Sequence, residues 1–187
     1  DFNTPDFIKN SAIDPINQNY NSYTPVDGYL ELKEAICKKF HRDNKIIYNP
    51  NQIVVSTGAK QSIANVVQAL IKPGEEVILL APFWVSYSAI VLMADGIPKI
   101  LKSDISNDFK VSAKQIDDAI SEKTKMIIIN SPNNPSGSIY NKKELNEIAS
   151  VVKKYPNVFV LSDEIYEHIN YGTEHVSFAS IEGMYDR

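Results

Sequence analysis

The sequence predicts an α/β fold of three layers, α/β/α, built on a mostly parallel sheet. Three observations predict it. Apolar runs of about four residues alternate with stretches of helical period from residue 52 onward. The runs are nearly all apolar rather than alternating, which marks strands buried on both faces by crossover helices. The distinctive polar segments (Ser56-Thr57-Gly58, Ala81-Pro82, Asn130 to Gly137, Ser162-Asp163) each follow such a run directly. In open parallel sheets, ligands bind beyond the carboxyl ends of the strands.

The elements follow in order. Residues 1–27 are polar and turn-rich, with Pro5, Pro15 and Pro25, and predict an extended arm or loop. Residues 28–187 then form one domain. Leu30, Leu32, Ala35, Ile36 and Phe40 recur at helical spacing. Ile53-Val54-Val55 predicts a short buried strand, ended by Gly58, and residues 59–71 return to helical period. Pro73-Gly74 turns the chain into a strand over 77–80. Pro82 precedes a helix over 83–94, closed by Gly96, and 97–101 predicts the next strand. Ser112 is an N-cap for a helix through 120. A strand over 126–129 ends at Asn130, a helix covers 142–154, and a strand covers 158–161.

Composition bounds the function. With 43% hydrophobic and 22% charged residues, the 187-residue chain has the material for one sizeable core. A net charge of -4 argues against a nucleic-acid partner, which calls for a basic patch. No apolar run approaches the ~20 residues that cross a bilayer, so no membrane span is predicted. The start has neither the basic region nor the apolar core of a signal peptide. It also lacks an initiator Met, so further residues are expected upstream. Cys37 is alone, which excludes an internal disulfide and fits a reducing, cytoplasmic setting.

Each candidate site residue has two readings. Gly58, Ala59 and Lys60 open a helix directly after a strand, where free amides and the helix dipole attract a phosphate. An ordinary strand-to-helix turn explains them equally well. Asp163 ends a buried strand, where a carboxylate needs a partner. A protonated pyridine nitrogen would serve, as would capping of the next turn. His168 and His175 lack a metal-ligand spacing with it. Asn134, between Pro132 and Pro135, is held rigidly enough to donate to a phenolate oxygen, or simply makes an Asn-Pro turn. Tyr166 would donate to the same oxygen or be a half-buried aromatic. Trp84, the single tryptophan, would stack on a planar ring at the start of a helix, or pack in the core. Tyr87, one turn on, reads as core or as a support for the site.

Together these segments resemble the class I/II aminotransferases, the aspartate aminotransferase-like branch of fold-type I enzymes that use pyridoxal 5'-phosphate (PLP). The resemblance rests on Tyr23-Thr24-Pro25 to Gly28, Ser56 to Lys60, Pro73 to Val77 through Pro82-Phe83-Trp84, Asn130 to Gly137, and Ser162 to Tyr166, in family order across nearly the whole chain. It implies that residues 28–187 are part of the large PLP-binding domain. It implies that Gly58, Ala59 and Lys60 bind the cofactor phosphate and that Trp84 stacks on the ring. Asn134 and Tyr166 then donate to the ring's 3-oxygen, Asp163 partners the ring nitrogen, and Tyr23 reaches a neighbour's phosphate across a homodimer. The implied substrates are an amino acid and a 2-oxo acid. The lysine at position 60 contacts the side-chain carboxylate in a subgroup that uses aspartate, which points to an acidic amino acid.

No lysine follows Lys154. The family's Schiff-base lysine and its carboxylate-clamping arginine lie beyond Arg187 in the pattern. The chain is therefore expected to be truncated and inactive alone. Two other readings stay open: another PLP enzyme of the same fold, such as a β-lyase or synthase, and a non-catalytic binding module.

Overall fold

The computed structural model describes residues 2–172 and 174–187. Helix α1 (Asp6–Asn17) and helix α2 (Leu30–Lys39) lead into helix α3 (Ala59–Leu70) and strand β1 (Glu76–Leu80). Helix α4 (Ser86–Met93), strand β2 (Ile97–Leu101) and helix α5 (Ala113–Ala119) follow. Strand β3 (Thr124–Asn130), helix α6 (Lys142–Val152) and strand β4 (Phe159–Asp163) complete the α-helices and strands among the described residues.

The four strands form one parallel sheet in the order β2-β1-β3-β4. Alternate residues of β1 and β3 enter opposite cores, as the period of two in a strand requires. Ile78, Leu80, Ile127 and Ile129 pack with Ile116 of α5 and Leu145, Ile148 and Val152 of α6. Val77, Leu79, Met126 and Ile128 pack with Ile63 and Val67 of α3 and Tyr87, Ile90 and Val91 of α4. The three-layer α/β/α fold with a parallel sheet is thus present. From β1 the chain moves outward to β2, then returns past β1 to β3 and β4. The direction reverses between β1 and β3, and the carboxyl ends at such a reversal are the standard ligand position in these sheets.

Local signals explain the helix starts. Ser112 caps α5, its hydroxyl accepting from the Gln115 amide at 3.3 Å while the Gln115 side chain accepts from the Ser112 amide at 2.9 Å. Asn141 and Glu144 make the same reciprocal box at α6.

Three expectations are corrected. Residues 1–27 are not all extended: α1 occupies 6–17. Pro15 lies in its last turn, where it removes a single intrahelical bond, and Asp6 in the first turn complements the dipole. None of its side chains is buried. Residues 53–55 do not form a strand. The Val55 amide meets the Asp27 carbonyl at 3.0 Å, but no ladder of partners continues from it, and Val54 faces solvent. The helix expected from 83 begins at Ser86, because contacts described below hold 81–85 as a loop.

Candidate active site

The site is built where β1, β3 and β4 end. The loop after β3 carries Asn133 and Asn134, and it is tied down by Asn130, a buried residue at the strand end. The Asn130 side chain donates to the Pro132 carbonyl at 3.1 Å and to the Asp163 carbonyl at 3.0 Å. Its oxygen accepts from the Asn134 amide at 2.7 Å. One amide side chain thus uses its donors and its acceptor to join the β3 loop to the end of β4. Asn133 does the same toward β1, donating to the Pro82 carbonyl at 3.1 Å. Ser103 holds the preceding Ala81 carbonyl at 2.5 Å. The Ala81–Pro82, Ser131–Pro132 and Asn134–Pro135 peptide bonds are cis.

Asp163 is the last residue of β4 and half-buried. Its Oδ2 accepts the Tyr87 hydroxyl at 2.6 Å, and its Oδ1 accepts the Ile165 amide at 3.2 Å. Among the described residues it makes no ion pair. The carboxylate is therefore oriented by neutral donors and keeps lone pairs for a cationic N–H donor, which is what a protonated pyridine nitrogen presents. Burial, and then the bond to Asp163, push the Tyr87 hydroxyl far above the ordinary tyrosine range, so it stays a donor.

Asn134 and Tyr166 meet loosely, the Asn134 amide nitrogen 3.5 Å from the Tyr166 hydroxyl. At that length each retains a donor for a shared third atom. Trp84 lies in the loop before α4, its ring edge-on to Tyr87 with centroids 5.6 Å apart. The Lys60 ammonium sits over the Trp84 ring, 5.0 Å from its centroid. Gly58 precedes α3 with φ +82, a conformation that favours glycine, and a Cβ there would meet nothing within 4 Å. Ala59 and Lys60 occupy the first helical positions, whose amides have no carbonyl behind them. Backbone approach by a phosphate is thus sterically open. These donors, the open turn and the unpaired carboxylate fit a phosphorylated pyridine.

Two concave surfaces share the expected residues. Asn134 and Tyr166 line one of about 650 Å³, and Ala59 and Asp163 line another of about 570 Å³ beside β4. The structure brings Lys60 to Trp84, Tyr87 to Asp163, and Asn134 to Tyr166. It leaves Tyr23 fully exposed between α1 and α2, apart from the others. His175 pairs with Glu164, 3.2 Å away. The sequence reading passed over Asn130 and Asn133 as site organisers, and it gave Tyr87 no partner. Position signalled the two asparagines, since Asn133 adjoins Asn134 and Asn130 ends the strand four residues before it. The Tyr87 contact spans 76 residues of sequence, so no local pattern carries it.

Comparison with known proteins places the chain in a family. The family described as aminotransferase class I and II matches residues 1–186. The chain is 46% identical to a bifunctional aspartate aminotransferase and glutamate/aspartate-prephenate aminotransferase of Petunia hybrida, over 100% of this chain and 39% of that protein. It is 47% identical to an aspartate/prephenate aminotransferase of Nitrosomonas europaea, over 90% of this chain and 43% of that protein. Among solved structures, an aspartate aminotransferase from Rhizobium meliloti superposes with a TM-score of 0.95 at 40% identity, covering 97% of this chain and 46% of its own. An aspartate aminotransferase from Thermus thermophilus with maleate gives 0.94 at 37% identity, covering 97% and 47%. The chain spans less than half the length of each of these relatives.

Proposed function

This chain belongs to the aminotransferase class I and II family, and from that premise we propose that the whole protein moves an amino group between an amino acid and a 2-oxo acid, with pyridoxal 5'-phosphate as cofactor. The observation that carries the reading is Asp163: a half-buried strand-end carboxylate, oriented by two neutral donors and free of any ion pair among the described residues. When bound, the cofactor supplies an electron-withdrawing ring that accommodates the electron pair left as the substrate α-proton departs.

The residues of this chain then have separate tasks. Asp163 holds the proton on the ring nitrogen and keeps the ring cationic. Asn134 and Tyr166 donate to the ring's 3-oxygen and favour its anionic form. The amides of the Gly58-Ala59-Lys60 turn receive the phosphate, and Trp84 covers one face of the ring. Tyr23, exposed on the arm, is free to reach a partner subunit in a homodimer. Residues 1–27 serve as that arm, and residues 28–187 as part of the cofactor domain.

An acidic amino acid such as aspartate is the proposed substrate. The Lys60 ammonium, held over Trp84 and paired with no carboxylate among the described residues, provides a cation for a second carboxylate. The maleate in the Thermus structure is a four-carbon dicarboxylate of matching charge. Among the described residues no helix is long and apolar enough to cross a membrane, and the lone Cys37 suits a cytoplasmic enzyme.

The test is Asp163→Ala in the full-length gene product, with kcat/KM measured for aspartate and 2-oxoglutarate. A loss of at least ~100-fold is expected, since the ring nitrogen then has no carboxylate to hold its proton. Near-normal turnover would overturn the assignment. The 187-residue chain assayed alone is expected to give no amino transfer, because it carries no lysine after Lys154 to act as covalent anchor and base.

A further inference from the structure

We propose that Tyr87 is a positioning residue for the cofactor ring, bracing two elements of the site at once through one buried side chain. The inference rests on the functional reading above and deepens it. Tyr87 lies in the first turn of α4 and is 1% exposed. Its hydroxyl donates to Asp163 Oδ2 at 2.6 Å, while its ring meets Trp84 edge-on at 5.6 Å and Phe83 at 6.3 Å. The group that partners the ring nitrogen and the aromatic that covers the ring are therefore held by the same residue.

The chemistry explains why a tyrosine suits this position. A carboxylate at a strand end has lone pairs in several directions and turns about its last bond unless held. The Ile165 amide holds Oδ1 and the Tyr87 hydroxyl holds Oδ2. Both donors are neutral, so neither competes as a charge with the cationic ring nitrogen, as a lysine or arginine would. Without the hydroxyl, Asp163 keeps one donor and is free to rotate. That change weakens its hold on the ring nitrogen specifically. Contacts to the phosphate and to the 3-oxygen are untouched.

The specificity of that effect supplies the test. Tyr87→Phe in the full-length enzyme removes one oxygen and keeps the ring that packs against Trp84 and Phe83, so the fold is retained, as the melting midpoint of the apoenzyme checks. The equilibrium affinity of wild type and variant is measured for PLP and for 1-deaza-PLP, whose ring carries a carbon in place of the nitrogen. The preference for PLP over the deaza compound is expected to fall roughly 10-fold in the variant. Affinity for the deaza compound should stay within about twofold. Equal losses for both ligands would reduce Tyr87 to a packing residue and overturn the proposal. A preference that is unchanged or increased would overturn it as well. Wild-type full-length protein that neither binds PLP nor transfers amino groups would instead sink the functional reading, which keeps the two failures apart.

Discussion

At the scale of single residues, the molecule places polar groups where buried backbone would otherwise lack partners. Tyr140 is the clearest structural case. Its hydroxyl accepts from the Val111 amide at 2.8 Å and donates to the Val111 carbonyl at 3.1 Å, inside the core between sheet and helices. Burial above all pushes its pKa up to about 12, so it remains neutral. Tyr140→Phe strands both groups of Val111 and is expected to cost about 1–3 kcal/mol, read as a lower urea midpoint at constant m. Glu76 acts at the opposite end of the sheet from the site. Its carboxylate accepts from Ser121 at 2.7 Å, Thr124 at 3.0 Å and Lys99 at 3.1 Å. The Ser121 hydroxyl first, then Lys99 and Thr124, outweigh burial and hold its pKa below the usual glutamate value. A depressed folded pKa contributes stability that is present above the unfolded value of about 4.3 and lost as pH falls through the folded one. Acid titration of stability should therefore be shallower below about pH 4.5 in Glu76→Gln than in wild type. Parallel curves would contradict the role given to Glu76.

Elements owe their boundaries to such contacts as much as to period. Helix α6 begins where Asn141 and Glu144, three residues apart, satisfy each other's amides, as Ser112 and Gln115 do at α5, whose cap the sequence predicts. Asn141→Ala is expected to cost about 1 kcal/mol and to lower the melting midpoint without altering the fold. A change under a few tenths of a kcal/mol would mean that water replaces the cap at no loss. Helix α4 shows the limit of the same reading. Residues 83–85 have helical composition, but Asn133 binds the Pro82 carbonyl and Ser103 binds the Ala81 carbonyl. Those bonds come from distant segments, so the helix starts three residues later than period predicts. Residues 53–55 fail as a strand for a related reason: apolar pattern prepares a strand, but a partner with a matching ladder completes it.

At the scale of the whole molecule, four parallel strands bury their two faces between helices, yet β4 pairs with β3 alone. Its outer edge borders the surface lined by Ile63, Val66, Leu161 and Tyr185, and Arg187 covers part of it by accepting from the Val160 amide at 2.9 Å. Helix α1 adds exposed Phe7, Ile8, Ile13 and Ile16, and none of its residues is buried. A sheet edge and an apolar helix face of this kind favour association. The isolated 187-residue chain is expected to self-associate as concentration rises, with sedimentation as the readout. A strictly monomeric chain across a hundredfold concentration range would refute this.

The amino-acid sequence by itself determined the fold class, the order of strands and helices from α3 to β4, and the types of side chain at each strand end. Those follow from period, from apolar runs and from local capping, all of which are written in neighbouring residues. It also placed Gly58, Asp163 and Asn134 at strand or helix ends, because strand direction alone carries such residues to one rim of a parallel sheet. Only the tertiary structure decided which of them meet. It put Tyr87 on Asp163 across 76 residues and Lys60 over Trp84. It also tied the Asn134 loop to β4 through Asn130. Such pairings depend on how the sheet twists and how loops close around it, and no run of neighbouring residues encodes that distance.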